Sequence, residues 1–146
     1  MKNVITAIAV FLITAGCSGK IGPYEGYYFG ITGINENGDY SGLYDENDWQ
    51  DAAGLSSVKV YPNPYLKADS DMTVEYSADA PYDYIEIRFE SGPDIIDLQL
   101  EYNWSIDITD TSIVIDKSEF DELEPGYYRM YLTINNASVY GDILIK

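Results

Sequence analysis

The chain has no histidine and a single cysteine, Cys17. Without imidazole there is no histidine-dependent nucleophilic triad and no histidine-held zinc, and without a second thiol there is no internal disulfide. Folding must therefore rest on an apolar core. Basic residues are scarce, 8 Lys and Arg against 25 Asp and Glu, for a formal net charge of −17. That balance leaves no basic footprint for nucleic acid and disfavours attraction to anionic lipid head groups. Long apolar runs are missing as well. The most apolar stretch, residues 4–13, is half of the roughly 20 residues that a membrane-spanning helix requires. Phenylalanine is rare, 4 against 15 tyrosines. Tyrosine favours strands and buries its ring while its hydroxyl stays wet. A tyrosine-rich exposed face would suit a surface protein or glycan partner; half-buried strand positions are the plainer reading.

What is present begins with an address. Met1-Lys2-Asn3, the apolar stretch and Thr14-Ala15-Gly16-Cys17 have the layout of a secretory signal peptide. The small-residue end resembles a bacterial lipobox, with Thr14 where leucine is usual. The alternative is an ordinary signal peptide with an incidental cysteine. The lipobox reading predicts cleavage after residue 16 and acylation of Cys17, which places the protein in the cell envelope, at the outer membrane. Each buried acyl methylene contributes about 0.8 kcal/mol, so several chains would hold it durably.

Residues 17–57 then read as a lipidated cysteine, a Gly/Pro tether, a hairpin and an acidic connector. Asn35-Glu36-Asn37-Gly38 is the turn signal, and Asn-Gly predicts a type I′ turn with positive φ at both residues. Residues 58–146 carry repeated period-two alternation. Met72, Val74 and Tyr76 face one way; Ile85, Ile87 and Phe89 alternate with Glu86, Arg88 and Glu90. Ile96, Leu98, Leu100 and Tyr102 alternate with Asp97, Gln99 and Glu101, and Tyr128, Met130, Leu132 and Ile134 form another such set. Turn signals at Ala80-Pro81, Gly92-Pro93 and Pro125-Gly126 separate the runs. The spacing predicts an all-β fold, an antiparallel immunoglobulin-like β-sandwich of roughly seven strands. One helical turn is expected over residues 118–123, with Ser118 as its N-cap.

Val58-Lys59-Val60-Tyr61-Pro62-Asn63-Pro64-Tyr65 opens this module, and Gly126-Tyr127-Tyr128 and the terminal Ile143-Leu144-Ile145-Lys146 close it. In these motifs it resembles the C-terminal sorting domain of type IX secretion cargo and the related immunoglobulin-like modules beside the flagellar hook-capping domain. The resemblance implies a sorting-like motif at Tyr61, Pro62, Asn63, Pro64, Gly126, Tyr128 and Lys146, with the secretion machinery as partner. The whole layout also resembles small bacterial lipoproteins that join a lipobox, a hairpin, an acidic stretch ending in tryptophan and this module. Asp45-Glu46-Asn47-Asp48-Trp49 and Tyr140-Gly141-Asp142-Ile143 stand in the corresponding places.

Two chemistries are open to the acidic residues. Paired carboxylates could support glycoside hydrolysis, yet no pair is singled out by its setting. Asp45, Glu46, Asn47, Asp48 and Asp51 offer clustered hard oxygen donors of the kind Ca²⁺ requires, against the plainer reading of a solvated connector. Trp49 beside them is expected to fix the hairpin to the sandwich. The sequence thus predicts a non-enzymatic envelope protein with a structural, adhesive or binding sandwich. Type IX cargo and a calcium-binding surface module are the alternatives.

Overall fold

The computed structural model describes residues 31–67 and 70–146. The expected signal peptide, Cys17, the expected tether and the first half of the expected hairpin lie outside the described residues. Seven strands follow in chain order: β1 Leu55–Tyr61, β2 Met72–Ala78, β3 Tyr82–Gly92, β4 Ile95–Ile108, β5 Ser112–Ile115, β6 Gly126–Ile134 and β7 Ala137–Ile145. They form two antiparallel sheets, β1-β2-β5 and β4-β3-β6-β7. This is the expected sandwich, with the fourth strand paired to the third. β1 begins three residues ahead of the expected Val58.

Alternation places the core. Val60, Met72, Val74, Ile85, Ile87, Phe89, Met130, Leu132, Ile143 and Ile145 are all buried between the sheets. Each such side chain contributes about 1.5–3 kcal/mol by leaving water. One end of the core is closed by aromatic rings. Phe120 meets Tyr65 at 4.7 Å and Phe89 edge-on at 5.5 Å between centroids. Elsewhere Tyr76 and Tyr82 share a buried hydroxyl–hydroxyl hydrogen bond, and Tyr82 Oη donates onward to the Asp110 carbonyl at 2.8 Å.

Three local expectations change. The helical turn is a 3₁₀ turn over Lys117–Phe120, capped by Asp116 rather than Ser118. Asp116 Oδ1 accepts from both Ser118 N and Ser118 Oγ, so the stronger acceptor takes the orphan amide. At the hairpin tip, only Gly38 of the Asn-Gly pair has positive φ, 80°. Gly38 N donates to Asn35 O, and the Asn35 carboxamide accepts from Asn37 N and Asp39 N. The side chain thus organises a turn followed by a left-handed glycine, not a type I′ turn. In β4 the apolar set is only partly inside: Ile96 is 51% exposed, while Leu98, Leu100 and Tyr102 are partly buried. β4 is a sheet edge, and register shifts at Phe89–Gly92 carry the β3–β4 turn beyond the core. Its outward Asp97, Gln99 and Glu101 discourage pairing with another chain.

Candidate functional site

Among the described strands, β7 pairs with β6 along one side. Its other side presents the amides and carbonyls of alternate residues, and such groups need partners when buried. Residues 45–65 supply those partners one after another. Trp49 N donates to Tyr140 O at 2.7 Å. Asp48 Oδ1 accepts from Asp142 N at 2.8 Å. Asn63 Nδ2 donates to Asp142 O at 2.9 Å, and Asn63 Oδ1 accepts from Leu144 N at 3.1 Å. Tyr65 N donates to Leu144 O and accepts, through its carbonyl, from Lys146 N. Two side chains and two backbone segments together replace an eighth strand. Trp49 anchors the arrangement from inside. It joins the core cluster against Gly141, where an added Cβ would collide with the indole.

Some of the residues expected to form a sorting-like motif therefore meet at one place. Tyr61–Pro62 and Asn63–Pro64 are cis peptides at the end of β1. Asn63 also exchanges both backbone hydrogen bonds with Ile34 and donates from Nδ2 to Thr32 O. Tyr65 bridges Ile145 in parallel, and Gly126 lies opposite Ile145 on the other side. Tyr128 is buried, with its hydroxyl donating to Glu124 O at 2.7 Å, and burial pushes its pKa up to about 12. Tyr61 stands apart, donating to Glu75 Oε1 at 2.7 Å. Lys146 is exposed and meets the rest through its amide.

Next to this cap lies a buried acidic cluster. Asp45, Asp48 and Asp142 are all buried, and an oxygen from each lies within 4.8 Å of the others. Asp48 holds two backbone amides, Asp142 N and Thr32 N. Burial nevertheless pushes its carboxyl up to about 6, against those amides and with the Asp142 charge adding to the rise. Asp142 is paired with Arg129 across the β6–β7 register, at 2.9 Å to Nε and 3.2 Å to Nη2. Asp45 Oδ1 accepts from Asn47 N and Nδ2, whereas Asp45 Oδ2 is buried with no hydrogen-bond partner among the described residues. Thr32 Oγ1 bonds the Asp45 backbone. A cavity of about 260 Å³ opens beside Thr32, Asp48 and Trp49.

Of the five residues expected to surround a cation, Asp45 and Asp48 converge here. Glu46 and Asp51 are exposed and outside the cluster, with Asp51 Oδ1 instead holding Ser57 N. Asn47 is exposed and orients Asp45 rather than facing the cluster. Asp142 was not among the expected donors. Its one sequence signal was the Tyr140-Gly141-Asp142-Ile143 string.

The tyrosines of the outer sheet face are tied into their own ladder. Arg88 stacks on Tyr131 at 4.8 Å and Arg129 on Tyr140 at 4.7 Å, while the two rings lie 5.8 Å apart. Arg88 Nε also pairs with Glu90 at 2.9 Å. Fold and site thus define an immunoglobulin-like β-sandwich with a side-chain-capped edge strand and a buried triad of aspartates. No family model, curated protein or solved structure matches this chain.

Proposed function

We propose that this protein is a lipid-anchored, non-enzymatic component of the cell envelope, held through Cys17, whose β-sandwich has a structural, adhesive or binding role. The observation that carries this reading is where the converging polar groups are spent. Asp48, Asn63 and Arg129 are committed to backbone edges or an ion pair, not aimed at a reacting centre. A general acid or base must reach a bound substrate, and groups consumed by the strand cap are poorly placed to do so. The anchor follows from the lipobox-like stretch ending at Cys17. Metabolic labelling with an alkyne fatty acid, followed by membrane fractionation, tests it. The wild-type chain should take the label and sediment with membranes, and Cys17→Ala should lose the label and become soluble. An unlabelled, soluble wild-type protein would overturn the proposal.

A further inference from the structure

The geometry points to a divalent-cation site, of Ca²⁺ type, formed by Asp45, Asp48 and Asp142. The site clasps the segment before β1 onto the edge of β7. The first ground is the unpartnered oxygen. Asp45 is 7% exposed, and its Oδ2 is buried without a hydrogen-bond donor among the described residues, although the same carboxylate sits in the cluster. A buried carboxylate oxygen left unpaired is costly, so natural proteins pair it or coordinate a metal with it. The second ground is charge. Three buried carboxylates converge, and among the described residues Arg129 is the cation paired with one of them, at Asp142. A divalent cation offsets like charges held this close.

Donor chemistry selects the ion. Every side-chain donor is a carboxylate oxygen, a hard ligand that suits Ca²⁺ or Mg²⁺ over zinc or copper. Two oxygens on one Ca²⁺ can lie up to about 5.2 Å apart, and the three oxygens here all lie within 4.8 Å of one another. The oxygens already holding amides or Arg129 keep a second lone pair, so coordination need not break the strand cap. A cavity lined in part by Asp48 borders one member of the triad.

The consequence is a clasp that binds distant parts of the chain, residues 45 and 48 to residue 142. It would tighten wherever calcium is plentiful outside the cytoplasm. It is separable from the anchor, because fatty-acid labelling at Cys17 does not depend on it.

The test uses the full chain in nonionic detergent after stripping with EDTA. Ca²⁺ or Mg²⁺ is titrated alone to about 5 mM, a range that covers extracellular calcium modules. At saturating Ca²⁺ the melting temperature should rise by about 5 °C, with a smaller rise for Mg²⁺. Tb³⁺ should give tryptophan-sensitised luminescence that Ca²⁺ displaces, with Trp49 the adjacent indole. Asp45→Asn should weaken both responses at least tenfold, and Asp51→Asn should leave them intact. No calcium-dependent rise in the wild type overturns the site, as does a full response retained by Asp45→Asn. If Asp45→Asn does not fold, calorimetry on the wild-type chain decides: one saturable Ca²⁺ site supports the proposal, and no binding heat up to about 5 mM overturns it.

Discussion

A carboxamide carries the same donor–acceptor pair as a peptide group, and Asn63 uses both halves on the edge of β7. It is 1% exposed and also binds Thr32 O, so every polar atom of its side chain is spent. Asn63→Asp keeps an acceptor for Leu144 N but removes the donor from two buried carbonyls and adds a charge beside Asp48 and Asp142. We expect it to cost about 2–4 kcal/mol in urea unfolding. A midpoint within error of wild type would show that the cap does not hold the edge. The residue was visible in the sequence as part of Tyr-Pro-Asn-Pro, but its partner was not. Asn63 and Leu144 are separated by 81 positions, and no local pattern encodes such a meeting. Asp45 and Asp48 were legible as oxygen donors for the same local reason that Asp142 was not. The first two share one short segment, while Asp142 arrives from the far end of the chain.

At the scale of elements, the strands followed their alternation wherever both ends of the pattern met a facing sheet. β2, β3 and β6 show it directly in their burial. β4 has the same pattern and fails to bury it fully, because an edge strand has cover only where the opposite sheet reaches. The 3₁₀ turn shows the reverse case, a short element whose worth lies in one side chain. Phe120 is fully buried against Tyr65 and Phe89. Phe120→Ala should destabilise the protein by about 3–5 kcal/mol through lost burial and a residual cavity. The urea slope should stay unchanged. A loss below about 1 kcal/mol would mean that the end of the sandwich closes without this ring.

For the whole molecule, the abundance of tyrosine becomes a response to pH. Burial raises Tyr65 and Tyr128 to about 12, and raises Tyr76, Tyr82 and Tyr102 in the same direction, from a reference near 10. Below pH 10 both folded and unfolded chains keep these protons. Between about pH 10 and 12 the unfolded chain loses them first, so it binds fewer protons and stability falls as pH rises. We expect the urea midpoint to be flat from pH 8 to near 10 and then to drop steadily. Absorbance near 295 nm should show a late-titrating group of tyrosines over the same window. A single titration near pH 10 with no loss of stability would contradict this burial. By itself the sequence determined the all-β class and the approximate strand positions, and it carries the motif on which the proposed anchor at Cys17 rests. Those properties are encoded by period-two alternation, by turn residues and by a short contiguous motif, all within a few positions of one another. Only the tertiary structure decided that residues 45–65 act as the missing neighbour of β7, and that Asp142 completes a triad with Asp45 and Asp48. Both depend on which distant backbone groups lack partners once the sheets have closed, and that is settled by packing, not by neighbours along the chain.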